Sequence, residues 1–252
     1  MGSDLLLVAC KTLESASASP AMKGAAAEAL LSAASTGLPL PPMAARLVWT
    51  YWRGSLSSRS WRHASNLGDI PDEVVRSEAM TILDGGDAGE DERDLATDVL
   101  VGKGHVLHLE DCFVLGLVER VRTGDRAREA VRLLEAVHGA RGFSVEVLRM
   151  VRDRWVAFDV AGVREAAVLI ATLMVEPDMV FVERVLADPD VEVRAAMAYA
   201  LDTDFPGREL ATGLVEARLR VEVHPQGRAA LLRAQASLIE DAQHRPRRRG
   251  RR

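Results

Sequence analysis

Apolar residues recur at every third or fourth position along most of this 252-residue chain, and this spacing is typical of amphipathic α-helices. Leu5, Val8 and Ala9 form such a face near the N-terminus, and Ala26 and Leu30 form the next one. No stretch shows the strict alternation of a β-strand. The sequence therefore predicts an all-α protein, with a helix beginning at Glu90 and others over about residues 4–18, 20–35, 43–53, 71–84, 106–121, 125–138, 144–158, 161–174, 178–187, 191–203, 207–221 and 226–243.

Four arginines mark an internal repeat. Arg128, Arg164, Arg194 and Arg228 each stand near the start of a predicted helix, at intervals of 36, 30 and 34 residues. An interval of this length holds one helical hairpin. Each hairpin leaves an apolar face that only a neighbouring hairpin can cover, so the pattern predicts units that stack in sequence order.

Residues 185–201 resemble a HEAT repeat. They contain the turn Asp188-Pro189-Asp190, the sequence Val191-Glu192-Val193-Arg194 and an alanine-rich second helix. The resemblance is clearest over residues 125–240 and implies an α-solenoid of stacked antiparallel hairpins. We therefore expect one domain over residues 1–244, with a divergent helical portion at 1–70 and HEAT-like repeats at 71–244.

Composition adds two points to this picture. Aromatic residues make up only 4% of the chain, so alanine and leucine must form most of the core, as closely packed helices allow. The net charge of −5 is unevenly distributed, because residues 245–252 hold six arginines and no acid, which leaves −11 on residues 1–244. We expect residues 245–252 to be a disordered arginine-rich tail, since a run of like charges cannot bury a core.

The cysteines and the hydropathy pattern bear on the cellular setting. Cys10 and Cys112 are too few for a disulfide framework, which favours a reducing compartment. No apolar run approaches the ~20 residues that span a bilayer. We expect a cytoplasmic protein that makes no membrane contact.

The segment Ala29–Gly68 contains no acidic residue, although it holds four arginines, a histidine and three tryptophans. Cationic and aromatic side chains together suit an acidic peptide, or the phosphates and bases of nucleic acid. Trp49 and Trp52 stand three residues apart on one predicted helix, which favours their burial in the core. The candidate partner-binding residues are therefore Arg46, Arg53, Arg59, Trp61, Arg62 and His63, together with Arg247, Arg248, Arg249, Arg251 and Arg252 of the tail.

Aspartate and arginine recur in pairs at the predicted turns. Such pairs usually fasten a turn to the adjacent helix and cap its backbone groups, so we interpret them as structural. The pairs are Asp125 with Arg128, Asp159 with Arg164, and Asp190 with Arg194.

The densest cluster of possible metal ligands is His105, His108, Glu110, Asp111 and Cys112, and on a helix positions 105, 108 and 112 share a face, which makes a His-His-Cys site geometrically possible. Other residues of that helix must pack, and no second ligand motif occurs in the chain. HEAT-repeat di-iron hydroxylases carry His-Glu pairs, and this sequence has no His-Glu dipeptide. We therefore expect no metal and no cofactor.

The resemblance to HEAT-repeat proteins implies binding of a protein partner along a concave surface, so the leading hypothesis is a non-enzymatic scaffold or adaptor. An alternative is a nucleic-acid-binding accessory protein that uses the basic N-terminal segment and the tail. A third hypothesis is a HEAT-like alkylpurine DNA glycosylase, because Trp155 and Asp159 have the one-turn spacing of a tryptophan and an aspartate in that family.

Overall fold

The computed structural model describes residues 2–38, 40–41, 43–55, 67–68, 70–203 and 205–244. Within these ranges the chain contains 14 α-helices, one 3-10 helix and no strand, so the prediction of an all-α protein is confirmed. The contacts divide the chain into two compact units. The first comprises Met1–Glu119 and Arg132–Arg141, and the second comprises Arg120–Val131 and Gly142–Arg252.

The first unit contains seven of the described helices. Helix α1 packs on α2 and α3, α2 packs on α3, and further pairs form between α3 and α4, α4 and α5, and α5 and α6. Their bounds are α1 Gly2–Glu14, α2 Pro20–Ser35, α3 Ala44–Arg53, α4 Glu73–Asp84, α5 Glu90–Leu100, α6 Lys103–Val106 and α7 Asp111–Arg120. Helix α8, Gly124–Arg141, belongs to the second unit up to Val131 and to the first from Arg132.

Two helices of the first unit begin at side-chain caps. The Ser19 hydroxyl accepts a hydrogen bond from the Met22 amide at the start of α2. The Asp72 carboxylate accepts from the Val74 and Val75 amides at the start of α4, at 2.9 and 3.1 Å. Each cap satisfies a backbone donor that lacks a partner inside the helix, which is worth about 1 kcal/mol.

The core of the first unit is built around α3. Trp49 and Trp52 are 2% and 5% exposed, so the interpretation that both belong to the core is confirmed. Burial leaves the Trp49 indole N–H in need of an acceptor. It donates to the Glu78 carboxylate on α4 at 2.8 Å, which ties the two helices together.

The second unit consists mainly of three helical hairpins. Each pairs a first helix with a second helix: α9 with α10, α11 with α12, and α13 with α14. The second helices also pack on one another, α10 on α12 and α12 on α14, and the first helix α11 packs on α13. The bounds are α9 Val145–Trp155, α10 Ala161–Thr172, α11 Met179–Leu186, α12 Val191–Asp202, α13 Thr212–Val221 and α14 Pro225–His244, with the 3-10 helix Arg208–Ala211 before α13.

Small residues let the second helices approach closely. Ala167 and Ala198 are completely buried, which confirms that alanine fills much of this core. Gly124 at the start of α8 lies against Gly162 at the start of α10. A Cβ atom built on Gly162 would stand 2.8 Å from the Gly124 Cα, so this contact has no room for a side chain.

Helix α1 ends at Glu14, four residues before its predicted end at residue 18, and two further helices differ in kind from the sequence prediction. The single helix predicted over 106–121 is instead α6, which ends at Val106, and α7, which begins at Asp111. The helix predicted from residue 207 starts with the 3-10 segment Arg208–Ala211, because Gly207 adopts a left-handed conformation with φ of 66°.

Candidate functional site

An arginine at the start of α10 joins two successive hairpins of the second unit. The Arg164 Nε and Nη2 atoms donate to the two carboxylate oxygens of Asp188 at 2.8 and 2.9 Å. Its Nη1 atom donates to the carbonyl oxygens of Phe158 and Asp159 at 2.9 and 2.8 Å. One guanidinium therefore holds the turn of its own hairpin and the turn of the next one.

Arg194 repeats this arrangement at the start of α12. Its Nε and Nη2 atoms donate to the Glu222 carboxylate at 2.7 and 2.9 Å, and its Nη1 atom donates to the carbonyls of Asp188 and Pro189. The Glu222 side chain is completely buried and also accepts bonds from Arg218 and from the His224 amide. These donors, Arg194 foremost, outweigh burial and lower the pKa of Glu222 from 4.5 to about 2.

The third arginine of the series is Arg228, at the start of α14. Its Nη1 atom donates to the carbonyl oxygen of Leu219 at 2.9 Å. No carboxylate among the described residues pairs with it. We call Arg164, Arg194 and Arg228 the clamp arginines.

The predicted aspartate–arginine pairs are structural, but their partners differ from the prediction. Asp190 caps α12 by accepting a hydrogen bond from the Glu192 amide at 2.8 Å, whereas Arg194 bonds Glu222 of the next hairpin. Arg164 bonds the carbonyl of Asp159, not its carboxylate. The pair of Asp125 with Arg128 forms as predicted, at 3.3 Å.

A row of exposed side chains crosses the three second helices. The residue five positions after each clamp arginine is exposed in all three helices, and these residues are Leu169, Tyr199 and Arg233. Leu169 is 47% exposed and Tyr199 is 45% exposed, although both are large and largely apolar. We call these three positions the second-helix ridge.

Two of the arginines predicted to bind a partner are engaged within the first unit. Arg46 pairs with Asp72 at 3.2 Å. Arg53 pairs with Glu92 at 2.9 Å and with Glu78 at 3.4 Å, and its guanidinium lies 5.9 Å from the centre of a Trp49 ring. Acidic residues of α4, α5 and the cap before α4 thus balance the positive charge of α3.

The remaining predicted binding residues lie outside the described ranges. They are Arg59, Trp61, Arg62 and His63 in the acid-free segment, and Arg247, Arg248, Arg249, Arg251 and Arg252 in the tail. Their role stays a prediction.

The possible metal ligands are not brought together on one helix face. His105 is completely buried on α6, His108 is exposed in the following turn, and Cys112 is exposed on α7. In the part of the chain that the structure describes, no three His, Cys, Asp or Glu side chains are placed to hold a metal ion. The geometric premise of a His-His-Cys site was wrong because the helix ends at Val106.

His105 is unusual for a buried residue, since neither ring nitrogen has a hydrogen-bond partner within the described ranges. Burial lowers the pKa of the imidazole, the positive charge of Arg76 lowers it further, and Asp72 partly opposes both effects. Folding therefore favours the neutral form of this ring.

Trp155 does not offer an aromatic surface to a base. Its side chain is completely buried, whereas Asp159 is exposed at the turn after α9. Because α9 ends at Trp155, the two residues are not one turn apart on a helix, and the indole belongs to the core of the second unit.

A groove of about 520 Å³ lies beside α4 in the first unit. Its walls carry Glu73, Asp84 and Glu110 as well as Arg76 and His108. Charges of both signs line this groove, and Arg76 lies 4.0 Å from Glu73, so its chemistry selects no single class of ligand.

Sequence reasoning missed the carboxylate partners of the clamp arginines and the exposed ridge. The signal for the partners was present, because Asp188 and Glu222 each stand six positions before an arginine of the repeat, Arg194 and Arg228. An alignment of the four repeat units on their arginines would have placed both acids at the same point of successive turns. Exposure of Tyr199 has no comparable signal, since an aromatic residue in an alanine-rich helix suggests burial.

No protein-family model matches the chain, and searches of curated proteins and of solved structures give no significant match. Among the described helices, none has both the length and the apolar composition needed to cross a bilayer.

Proposed function

We propose that this chain is a HEAT-like α-solenoid that acts as a non-enzymatic scaffold or adaptor and binds a protein partner along the second-helix ridge. The observation that carries the proposal is the exposure of Leu169 and Tyr199 at equivalent positions of neighbouring second helices. In a solenoid these helices line the concave side.

The packing of the second unit supports the solenoid. Successive hairpins contact each other through their second helices, α10 on α12 and α12 on α14, and the first helix α11 also packs on α13. The clamp arginines Arg164 and Arg194 bond a turn of the following hairpin in the same way. This is the nearest-neighbour pattern of a repeat array, in which each unit covers the open face of the one before it.

The chemistry of the ridge supports a protein ligand. Leucine and tyrosine side chains that remain half exposed on packed helices still present apolar surface to water. A partner that covers them removes this surface from water, which favours binding. Tyrosine also loses little conformational freedom on binding and supplies a hydroxyl for hydrogen bonding, which makes it common among residues that dominate interface energies.

The charges beside the ridge narrow the class of partner. Glu192 stands in the first turn of α12 and is exposed, and Glu165 lies four residues before Leu169 on α10. Residues 1–244 carry a net charge of −11. A partner segment with apolar residues and flanking lysine or arginine matches this surface, and its attraction should weaken as salt is added.

The experiment places a photoreactive amino acid at position 199, and separately at position 169, in the full chain expressed in its native host. Val180 serves as the matched control, because it is 77% exposed but lies on the first helix α11. We expect positions 169 and 199 to cross-link to the same protein and position 180 to give no such product. Absence of a specific product at 199, or equal products at all three positions, would contradict the proposal.

A further inference from the structure

The outer side of α14 carries an exposed apolar residue, whereas the residues at the equivalent positions of α10 and α12 are buried. The residue four positions after the clamp arginine is Val168 in α10, Ala198 in α12 and Leu232 in α14, and their exposures are 1%, 0% and 49%. Helix α10 is followed by α12 and α12 by α14, each packed on the one before. No described helix packs on α14 in the same manner, so Leu232 stays open to solvent.

Leu232 belongs to an exposed stripe. Ala229, Leu232, Ala236 and Ile239 follow one another at spacings of three, four and three residues, and all four are exposed, with Ile239 at 45%. This spacing places them on one side of the helix, as in the contact seam of a coiled coil. Alanines within such a seam permit close approach of a second helix.

Arg228 lies at the start of the same helix and differs from the other clamp arginines in one respect. In Arg164 and Arg194, Nη1 bonds carbonyl oxygens of the chain, while Nε and Nη2 bond both oxygens of one carboxylate. Arg228 makes the Nη1 bond, to Leu219, but has no carboxylate partner among the described residues. The Nε and Nη2 atoms of Arg164 and Arg194 hold a carboxylate, whereas the same two atoms of Arg228 hold none among the described residues.

We propose that the outer side of α14 binds an amphipathic helical segment of another protein, whose apolar face covers the stripe and whose aspartate or glutamate bonds Arg228. Successive hairpins of the second unit are joined by apolar contact between their second helices and by an arginine that binds both oxygens of a carboxylate. The outer side of α14 offers both of these, an apolar helix side and the guanidinium of Arg228. A carboxylate held at both oxygens is the ligand that such a fork selects. Arg233 is the one ridge position on α14, but Leu169 and Tyr199, which carry the proposed function, lie on α10 and α12, so the inference does not rest on that proposal.

Two occupants from the chain itself fit less well. Residues 245–252 contain no acid, so they bring no carboxylate to Arg228. In a second copy, the positions that correspond to Asp188 and Glu222 in the earlier turns are Arg122 and Phe158, six residues before Arg128 and Arg164. Neither side chain has a carboxylate that could accept hydrogen bonds from the Arg228 guanidinium.

The test uses the full chain and two synthetic helical peptides of three heptads, with leucine and alanine in the apolar seam. One peptide carries glutamate beside the seam, and the other carries glutamine at the same positions. Fluorescence anisotropy measures both affinities. We expect the glutamate peptide to bind roughly tenfold or more tightly than its glutamine control, as for a hydrogen-bonded charge pair.

Variants assign that preference to the proposed residues. Arg228→Gln should abolish the difference between the two peptides, and Leu232→Glu should abolish binding of both. Arg220→Gln, an exposed arginine on α13, is the matched control and should leave both affinities unchanged. Circular dichroism and the unfolding midpoint confirm that each variant is folded.

Equal affinities for the two peptides, no binding of either, or a preference that survives Arg228→Gln would overturn the proposal. Light scattering tests the second copy as occupant. A mass that doubles with concentration and returns to the monomer in Leu232→Glu would assign this surface to self-association and would likewise overturn it. Variants at Leu169 and Tyr199 should leave peptide binding unchanged, so failure here is distinguishable from failure of the ridge.

Discussion

Arg194 and Glu222 form a buried ion pair in which both oxygens of one carboxylate accept hydrogen bonds from one guanidinium, at 2.7 and 2.9 Å. The arginine lies in the first turn of α12, and the glutamate lies 28 residues later, after α13. Both side chains are shielded from water, so removal of either one leaves a buried charge unpaired and strongly lowers the stability of the fold. This pair, with Arg164 and Asp188 before it, fastens successive hairpins at their turns.

Removal of the Glu222 charge should destabilise the second unit. We expect Glu222→Gln to lower the free energy of unfolding by roughly 3 kcal/mol, because Arg194 is left buried without a counter-charge. Urea unfolding followed by circular dichroism measures the loss. Glu216→Gln on the exposed side of α13 is the matched control and should change stability by less than about 0.5 kcal/mol. Equal effects of the two variants would show that the buried pair does not fasten the hairpins.

Acid should weaken the protein through the same carboxylate. The pKa of Glu222 is 4.5 before folding and about 2 in the folded state, so its contribution is complete above pH 4.5 and is lost as the pH falls towards 2. The full contribution is about 3 kcal/mol for this difference in pKa. Unfolding free energies measured between pH 6 and pH 2.5 should fall less steeply in Glu222→Gln than in the wild type. Parallel curves below pH 4.5 would rule out this carboxylate as the source.

His105 should add a separate pH dependence nearer neutrality. Because the folded state lowers the pKa of the buried ring below 6.5, the unfolded chain binds a proton that the folded protein excludes, and stability falls as the pH drops below about 6.5. We expect His105→Leu to remove this slope between pH 6.5 and pH 5.5, a range that lies above the titration of Glu222. Substitution of the exposed His108 by leucine should leave the slope in place. A wild-type stability that is constant over this range would contradict the assignment.

Any affinity for nucleic acid should depend on the tail and not on α3. Arg53 is occupied by Glu92 and Glu78, so Arg53→Gln should lower stability by about 1 kcal/mol and leave nucleic-acid binding unchanged. Deletion of residues 245–252 should reduce the dependence of binding on salt, because six arginines no longer displace counterions. Electrophoretic mobility shifts at several salt concentrations measure both effects. A salt dependence that is unchanged by the deletion would exclude the tail as the binding element.

The helices themselves were largely predictable from the sequence. The predicted range 20–35 matches α2, and the predictions over 161–174 and 191–203 end one or two residues beyond α10 and α12. All three helices are alanine-rich, and local signals mark the starts of two of them, the Ser19 cap with Pro20 for α2 and the Asp190 cap for α12.

Other features required contacts that are distant in sequence. The break between α6 and α7 falls within Leu107-His108-Leu109-Glu110. This segment contains neither proline nor glycine, the residues that most often mark the end of a helix in a sequence. The pairing of Arg194 with Glu222 spans a whole hairpin, whereas the sequence prediction considered only Asp190 within the same turn. The neutralisation of Arg46 by Asp72 likewise joins α3 to the cap of another helix, so the acid-free stretch is not an uncompensated surface in the described fold.

The central claim is that a protein partner binds along the second-helix ridge. Its most direct test is the affinity of the chain for the protein that cross-links at position 199, measured by titration calorimetry for the wild type and two variants of the chain. We predict that Tyr199→Glu weakens binding at least tenfold relative to the wild type, because it places a charge in the apolar contact. Val180→Glu introduces the same charge on the first helix α11 and should leave the affinity unchanged. An unchanged affinity in Tyr199→Glu, or an equal loss in both variants, would contradict binding along the second-helix ridge.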